Sequence, residues 1–187
     1  ALFEGCPDTS PVVEGVYAHV PFCAHRCHYC DFFTVAGREE SYSVFLDRML
    51  NEIKAVPDQV RPQSIDTIFV GGGTPTILPP DLLGSFLEGL RTRFASSATE
   101  FTVEANPETV SSEVAETLAI QGVNRVSLGA QSFQDTLLSR LQRQHTPGHT
   151  LTHACTHAPT RLHHPNYLPS SSSVFVEKTI TTKTSLI

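Results

Sequence analysis

Residues 16–30 read V-Y-A-H-V-P-F-C-A-H-R-C-H-Y-C. The first seven, 16–22, are apolar, β-branched or aromatic, a run that predicts a buried strand. The last eight hold three thiols, Cys23, Cys27 and Cys30, at CxxxCxxC spacing. The cysteines therefore occupy the loop that leaves the C-terminal end of a strand, where α/β folds place their chemistry. Three thiolates from one loop can converge on a metal centre. A closed structural site usually takes four ligands, so three leave a position open for a further ligand or a substrate. Soft thiolates select zinc, copper(I) or iron–sulfur clusters. On spacing alone three readings stand: zinc completed by His25 or His28, a redox pair in Cys27-x-x-Cys30, and a [4Fe–4S] cluster with one iron unligated by protein.

Downstream, strand and helix patterns alternate. Phe45, Leu46, Met49, Leu50 and Ile53 form the apolar stripe of a helix over 41–55, with Pro57 as its stop. Residues 65–70 predict a second strand, which runs directly into Gly71-Gly72-Gly73-Thr74-Pro75. Leu82, Leu83, Phe86, Leu87 and Leu90 give a second helix, and 100–105 a third strand punctuated by Asn106-Pro107. A short helix over 112–121 is framed by Ser111 as N-cap and Gly122 just past its end. Residues 125–130 form a fourth strand. Ser132 with Asp135 resembles a capping box opening a fourth helix over 134–141. The fold class is α/β with a parallel sheet. Four βα units do not close an eight-stranded barrel, so a half-barrel or open sheet with an exposed edge is expected.

The glycine run ends a strand, where small residues allow close backbone approach to a ligand or simply a tight turn. Glu104 and Gln131 also lie at or just beyond strand ends. Taken singly, they read as a cap partner and a loop amide. Arg143 and His145 read as the solvated end of the fourth helix.

The 187 residues carry a formal charge of −6 and 40% hydrophobic content, which suits a globular domain with one core. No basic footprint argues for nucleic acid, and no run reaches the roughly 18 apolar residues of a membrane span. Five cysteines, three of them clustered, argue for free thiols in a reducing compartment. Residues 1–14 read as a flexible arm with a surface thiol, Cys6. Neither a secretory nor a transit pattern is present there. From 147 to 187 the chain turns rich in Thr, Ser, His and Pro, with Arg161, Glu177, Lys178 and Lys183 as its only charges. That composition reads as a disordered tail. His149, His153, His157 and Cys155 within it make a weak metal pattern with no supporting shell.

Five motifs in order carry a resemblance: Y-A-H-V-P-F-C-A-H-R-C-H-Y-C-D-F-F, I-F-V-G-G-G-T-P-T, F-T-V-E-A-N-P-E, G-V-N-R-V-S-L-G-A-Q-S-F and L-Q-R-Q-H-T. Over about 15–146 the chain is similar to the radical S-adenosylmethionine (SAM) family of oxygen-independent coproporphyrinogen III oxidases and its HemW-like heme-chaperone branch. The resemblance implies a partial (β/α) radical SAM barrel, its first four βα units, followed by a tail unlike the family. It implies a [4Fe–4S] cluster on Cys23, Cys27 and Cys30. SAM would be bound by Tyr17, Tyr29, Gly72, Gly73, Thr74, Glu104, Gln131 and Arg143. Electron transfer to the sulfonium would yield methionine and a 5′-deoxyadenosyl radical. Phe32 stands where the oxidases carry an additional cysteine, which is the heme-chaperone pattern. The implied ligands are heme or a porphyrin, with an electron donor for the cluster as partner. The implied place is the cytoplasm, or a mitochondrial or chloroplast stroma if a leader was removed. Family members continue beyond the R-x-H motif, so a truncated and weakly active or inactive product is expected. The alternatives are a coproporphyrinogen oxidase proper and, from another class, a zinc-binding interaction module.

Overall fold

The computed structural model describes residues 13–56, 65–94 and 100–148, together with the backbone of Ser173–Glu177. Cys6, Cys155 and the tail histidines lie outside these residues. The strands of the main sheet are β1 (Gly15–Val20), β4 (Thr67–Gly72), β5 (Glu100–Ala105), β6 (Arg125–Gly129) and β7 (Ser173–Glu177). They are parallel throughout and lie in the order β1-β4-β5-β6-β7. The helices are α1 (Tyr42–Ala55), α2 (Pro80–Phe94), α3 (Ser112–Ile120) and α4 (Asp135–Arg140).

The expected first strand is broken at Pro21, which lacks the N–H that a continuing ladder needs. The chain resumes as β2 (Phe22–Cys23), which pairs in parallel with β3 (Val35–Ala36). This two-residue ribbon was not visible as a periodic signal, and it pins both ends of the cysteine loop. The second strand runs two residues further than expected, to Gly72, because the glycine run stays in the ladder opposite His19 and Val20. α3 begins as predicted: the Ser111 hydroxyl accepts from the Val114 N–H at 3.2 Å. Gly122 follows the helix with φ 78°. α4 departs from expectation. Its N-cap is Gln134, with no side-chain cap, and the Ser132 hydroxyl instead accepts from the Gln134 N–H at 3.1 Å. Two residues of separation make that a local serine turn, not a capping box.

One face of the sheet is buried beneath α1, α2 and α3. Ala18, Val20, Ile68, Val70, Phe101 and Val103 meet Leu46, Ile53, Leu83, Phe86, Leu87 and Leu90 there in one apolar cluster. The other face reads differently. The register aligns Tyr17, Phe69, Thr102 and Arg125 in one row across four strands, and Tyr17 is 58% exposed. Arg125 donates to the Glu100 carboxylate and to the Thr102 hydroxyl on that face.

β6 was expected to be an exposed edge. Instead β7, from the segment read as a tail, adds to it in register, Arg125 opposite Ser173 through Gly129 opposite Glu177. The short run S-V-F-V-E is the one piece of that segment with strand chemistry. No helix among the described residues is long and apolar enough to cross a membrane.

Candidate metal centre

The cysteine loop leaves β2 and returns through β3. The Cys30 N–H donates to the Cys27 carbonyl at 3.1 Å, so this CxxC pair sits on one tight turn. The loop's far end is tied to β1 by a relay. His19 Nε2 lies 3.0 Å from the Phe33 carbonyl, which only accepts, so this nitrogen donates and Nδ1 accepts from the Tyr17 hydroxyl at 2.9 Å. Phe32 and Phe33 remain 67% and 76% exposed.

The glycine run is shaped by close approach to this loop. A Cβ on Gly73 would lie 2.4 Å from the Phe22 carbonyl oxygen, a backbone atom that cannot swing away. The Gly73 and Thr74 N–H groups donate to the Val20 and Phe22 carbonyls, each at 2.7 Å. The Gly72 N–H donates to Glu104 Oε2 at 3.0 Å. All three N–H groups are therefore spent inside the protein. Close backbone approach to a ligand therefore cannot be made through these N–H groups.

Cys23, Cys27 and Cys30 are half-buried and not joined in a disulfide. They line one cavity with Tyr29, Gly72, Gly73, Thr74, Glu104, Gln131 and Arg143. Its empty volume, open mouth included, is about 910 Å³. Ten of the eleven residues singled out in the sequence thus meet in one place. Tyr17 is the exception. It stacks on Phe69 with ring centroids 6.1 Å apart, on the open sheet face beside the cavity.

Three half-buried thiols on one loop suit a soft metal ion or an iron–sulfur cluster. Burial pushes the Cys23 thiol up, and the charges of Cys30 and Cys27 push it further, against the lowering effects of Thr74 and Arg143. Thiolates close enough to disfavour one another's ionisation call for cationic metal between them. One thiolate on each of several metal atoms is the arrangement of an iron–sulfur cluster.

Several residues here were not singled out from sequence. Asn106, read only as punctuation, donates to the Thr74 hydroxyl at 3.1 Å and accepts from the Arg143 guanidinium at 2.6 Å. Arg143 also donates to the Gly129 carbonyl at 2.7 Å, and its other terminal nitrogen lies 3.9 Å from Cys27 Sγ. It is no solvated helix end. Burial pushes the Tyr29 hydroxyl up to about 12, partly offset by Arg143. Burial and the Glu104 charge also raise the Tyr17 hydroxyl. His25 Nε2 donates to the Gln142 carbonyl at 2.8 Å, which joins the cysteine loop to the segment after α4. Asn106 shares with Glu104 the exit of a strand, and that position was the one available signal.

A profile of the Radical SAM superfamily matches residues 17–153. The chain is 37% identical over 134 residues to the heme chaperone HemW of Lactococcus lactis, covering 71% of this chain and 34% of that protein. It is 39% identical over 139 residues to the heme chaperone HemW of Mycobacterium tuberculosis, covering 72% and 35%. Among solved structures, coproporphyrinogen III oxidase (HemN) from Escherichia coli, a radical SAM enzyme, superposes with a TM-score of 0.67 at 25% identity. That match covers 75% of this chain and 33% of HemN. The chain spans about a third of the length of the curated relatives it matches.

Proposed function

The chain belongs to the radical SAM superfamily, and on that premise we propose that it is a HemW-like heme-binding protein with a [4Fe–4S] cluster on Cys23, Cys27 and Cys30. SAM would lie against Tyr29, Gly72, Gly73, Thr74, Glu104, Gln131 and Arg143, with Tyr17 at the cavity's edge. The observation that carries this reading is the sign of the groups around one cavity. The Gly72, Gly73 and Thr74 N–H groups are spent inside the protein, and the Glu104 carboxylate stands beside Gly72. That carboxylate suits the ammonium of an amino acid. The Arg143 guanidinium and the Gln131 amide line the same cavity and suit a carboxylate or a polar edge. Arg143 beside Cys27 offsets negative charge at the cysteine loop.

When bound, a reduced cluster supplies one electron to the SAM sulfonium. The protein's own part is to hold the ligand in one geometry and to keep water from it. The heme role is supported by the relatives' names and by Phe32, which lines the cavity. The same proposal includes a reducing compartment, cytoplasmic or stromal, and an electron donor. It also divides the chain into an arm at 1–14, a core at 15–146 and a tail at 147–187, of which Ser173–Glu177 joins the core sheet as β7.

Anaerobic reconstitution tests the reading. The expected product is brown, holds iron and sulfide in the ratio of a [4Fe–4S] cluster, binds SAM, and takes up heme in titration. A colourless protein that holds zinc at the same cysteines would sink both cluster and SAM. Decarboxylation of coproporphyrinogen without heme uptake would favour the oxidase instead.

A further inference from the structure

α4 closes with two bonds, Gln142 N–H to the Ser139 carbonyl and Arg143 N–H to the Leu138 carbonyl. This is the Schellman pattern, whose left-handed position usually holds glycine. Here Gln142 holds it, with φ 56°. Before α4, Gln131 has φ 60°, and the Ser132 N–H reaches back to the Ala130 carbonyl at 2.6 Å. That closes a γ-turn of the rare, strained hand. Gln131 and Gln142 are the only non-glycine residues with positive φ among the described residues. Such conformations persist where the surroundings over-determine them.

The surroundings here include a side chain with no role in the cavity. His145 is buried, with 0% of its side chain exposed. Its Nε2 donates to the Ala130 carbonyl at 3.0 Å, the same oxygen that closes the Gln131 turn. Its Nδ1 lies 3.2 Å from Glu108 Oε2. The contact is a charge contact short of an aligned hydrogen bond, and neither atom has a hydrogen-bond partner elsewhere among the described residues. The ring thus lies between an acceptor on each side. Arg143, two residues earlier, reaches the same two pieces of chain: Asn106 in the turn that also carries Glu108, and the carbonyl of Gly129 beside Ala130. Spacing by two places both side chains on one side of a non-helical segment. That is a physical reason for an arginine and a histidine separated by one residue.

We propose that His145, held between Glu108 and the Ala130 carbonyl, is a positioning residue that fixes the Gln131 turn and aims Arg143 into the cavity, and so sets the site's affinity for SAM. The ligand rests on the functional reading above; the effect on the backbone does not. The charged groups facing His145 are Glu108 and, through Glu108, Arg143.

The test has two arms. In metal-free protein, hydrogen exchange is followed at the Ser132 and Arg143 amides and, as a control, along α3. His145→Leu should speed the first two by roughly tenfold, the factor expected for one lost hydrogen bond to a charged group, and leave α3 unchanged. In reconstituted protein, the same variant should weaken SAM binding about tenfold at unchanged iron content. His145→Gln, which keeps one donor, should restore part of both. Glu108→Gln should shift both in the same direction, and the double variant should be no worse than His145→Leu alone. Should His145→Leu fail to fold, Glu108→Gln and His145→Gln carry the same measurements. Unchanged exchange at Ser132 and Arg143, uniform acceleration that includes α3, or unaltered SAM affinity in folded variant overturns the proposal. If wild type binds no SAM, the cofactor reading fails, and the exchange arm still decides whether His145 holds the turn.

Discussion

The same three strands, β1, β4 and β5, build two regions by opposite rules. On the helix-covered face, Val20, Ile68, Val70 and Val103 are fully buried against Leu83, Phe86 and Leu87. No contact there is individually specific, and dispersion and burial act through many small terms. At the strand ends, Thr74, Asn106, Arg143, Glu108 and His145 each touch a few named partners at fixed distances. The first region tolerates exchange of one apolar side chain for another of similar volume. The second does not, because removing one partner leaves the other buried and unsatisfied. Stability and cofactor affinity should therefore separate on mutation.

The largest separation is expected at the cysteines. Cys30→Ala should abolish assembly of the cluster, since the three thiolates act as one site. The metal-free protein should melt close to wild type, because Cys30 is half-buried and absent from the apolar cluster. Iron content and a thermal melt measured together check this. Large loss of metal-free stability would mean that loop and core are not independent.

The converse change is Phe86→Ala. Phe86 is fully buried on α2, and large-to-small changes of this kind cost about 3–5 kcal/mol. A denaturant titration of the metal-free protein reads the loss. Below the transition, the folded fraction should still take up cluster and SAM in full. A fall in SAM affinity per folded molecule would couple the two regions through α2.

Gly73→Ala tests the one place where the regions share backbone. The new methyl would meet the Phe22 carbonyl at 2.4 Å, so β4 and the cysteine loop must move apart. Overpacking of this sort costs about 1–3 kcal/mol. Both stability and cluster uptake should fall together, unlike either change above. Retention of full cluster content would show that the close approach belongs to the fold alone.

This division also governs what the sequence made legible. Periodicity reports the face that meets a helix, and so the four βα pairs could be read, with the third strand correct to the residue. The cysteines were legible because all three come from one loop. The partners of Arg143 were not. Asn106 lies 37 residues before it, and His25, which holds the adjacent Gln142 carbonyl, lies 117 residues before that residue. No local pattern encodes such meetings; they arise from parallel strands ending at one edge of the sheet. Ser132 misled for a related reason, since the same Ser and Asp spacing serves a serine turn or a capping box. The Arg143 and His145 pair was quoted as part of a motif, yet read alone as a charged helix end. Only the fold shows that both point inward.

The smallest effect expected is in the pH dependence of stability. Burial alone would raise the Glu108 carboxyl. The contact with His145, a backbone bond and the nearby Arg143 charge together bring it below its ordinary value of 4.5. The sign follows from linkage. A carboxyl with a depressed folded pKa contributes stability that is fully present above the unfolded value. That contribution is lost as pH falls through the folded value. Metal-free wild type should therefore lose part of its stability below pH 4.5, and Glu108→Gln should lack that part of the acid limb. The gap between the two proteins should be constant at neutral pH and close as the solution is acidified. Unfolding midpoints in denaturant, collected across that range, measure the gap directly. A gap that widens in acid would mean that Glu108 is protonated in the folded state. His145 would then face a hydrogen-bond donor instead of a charge.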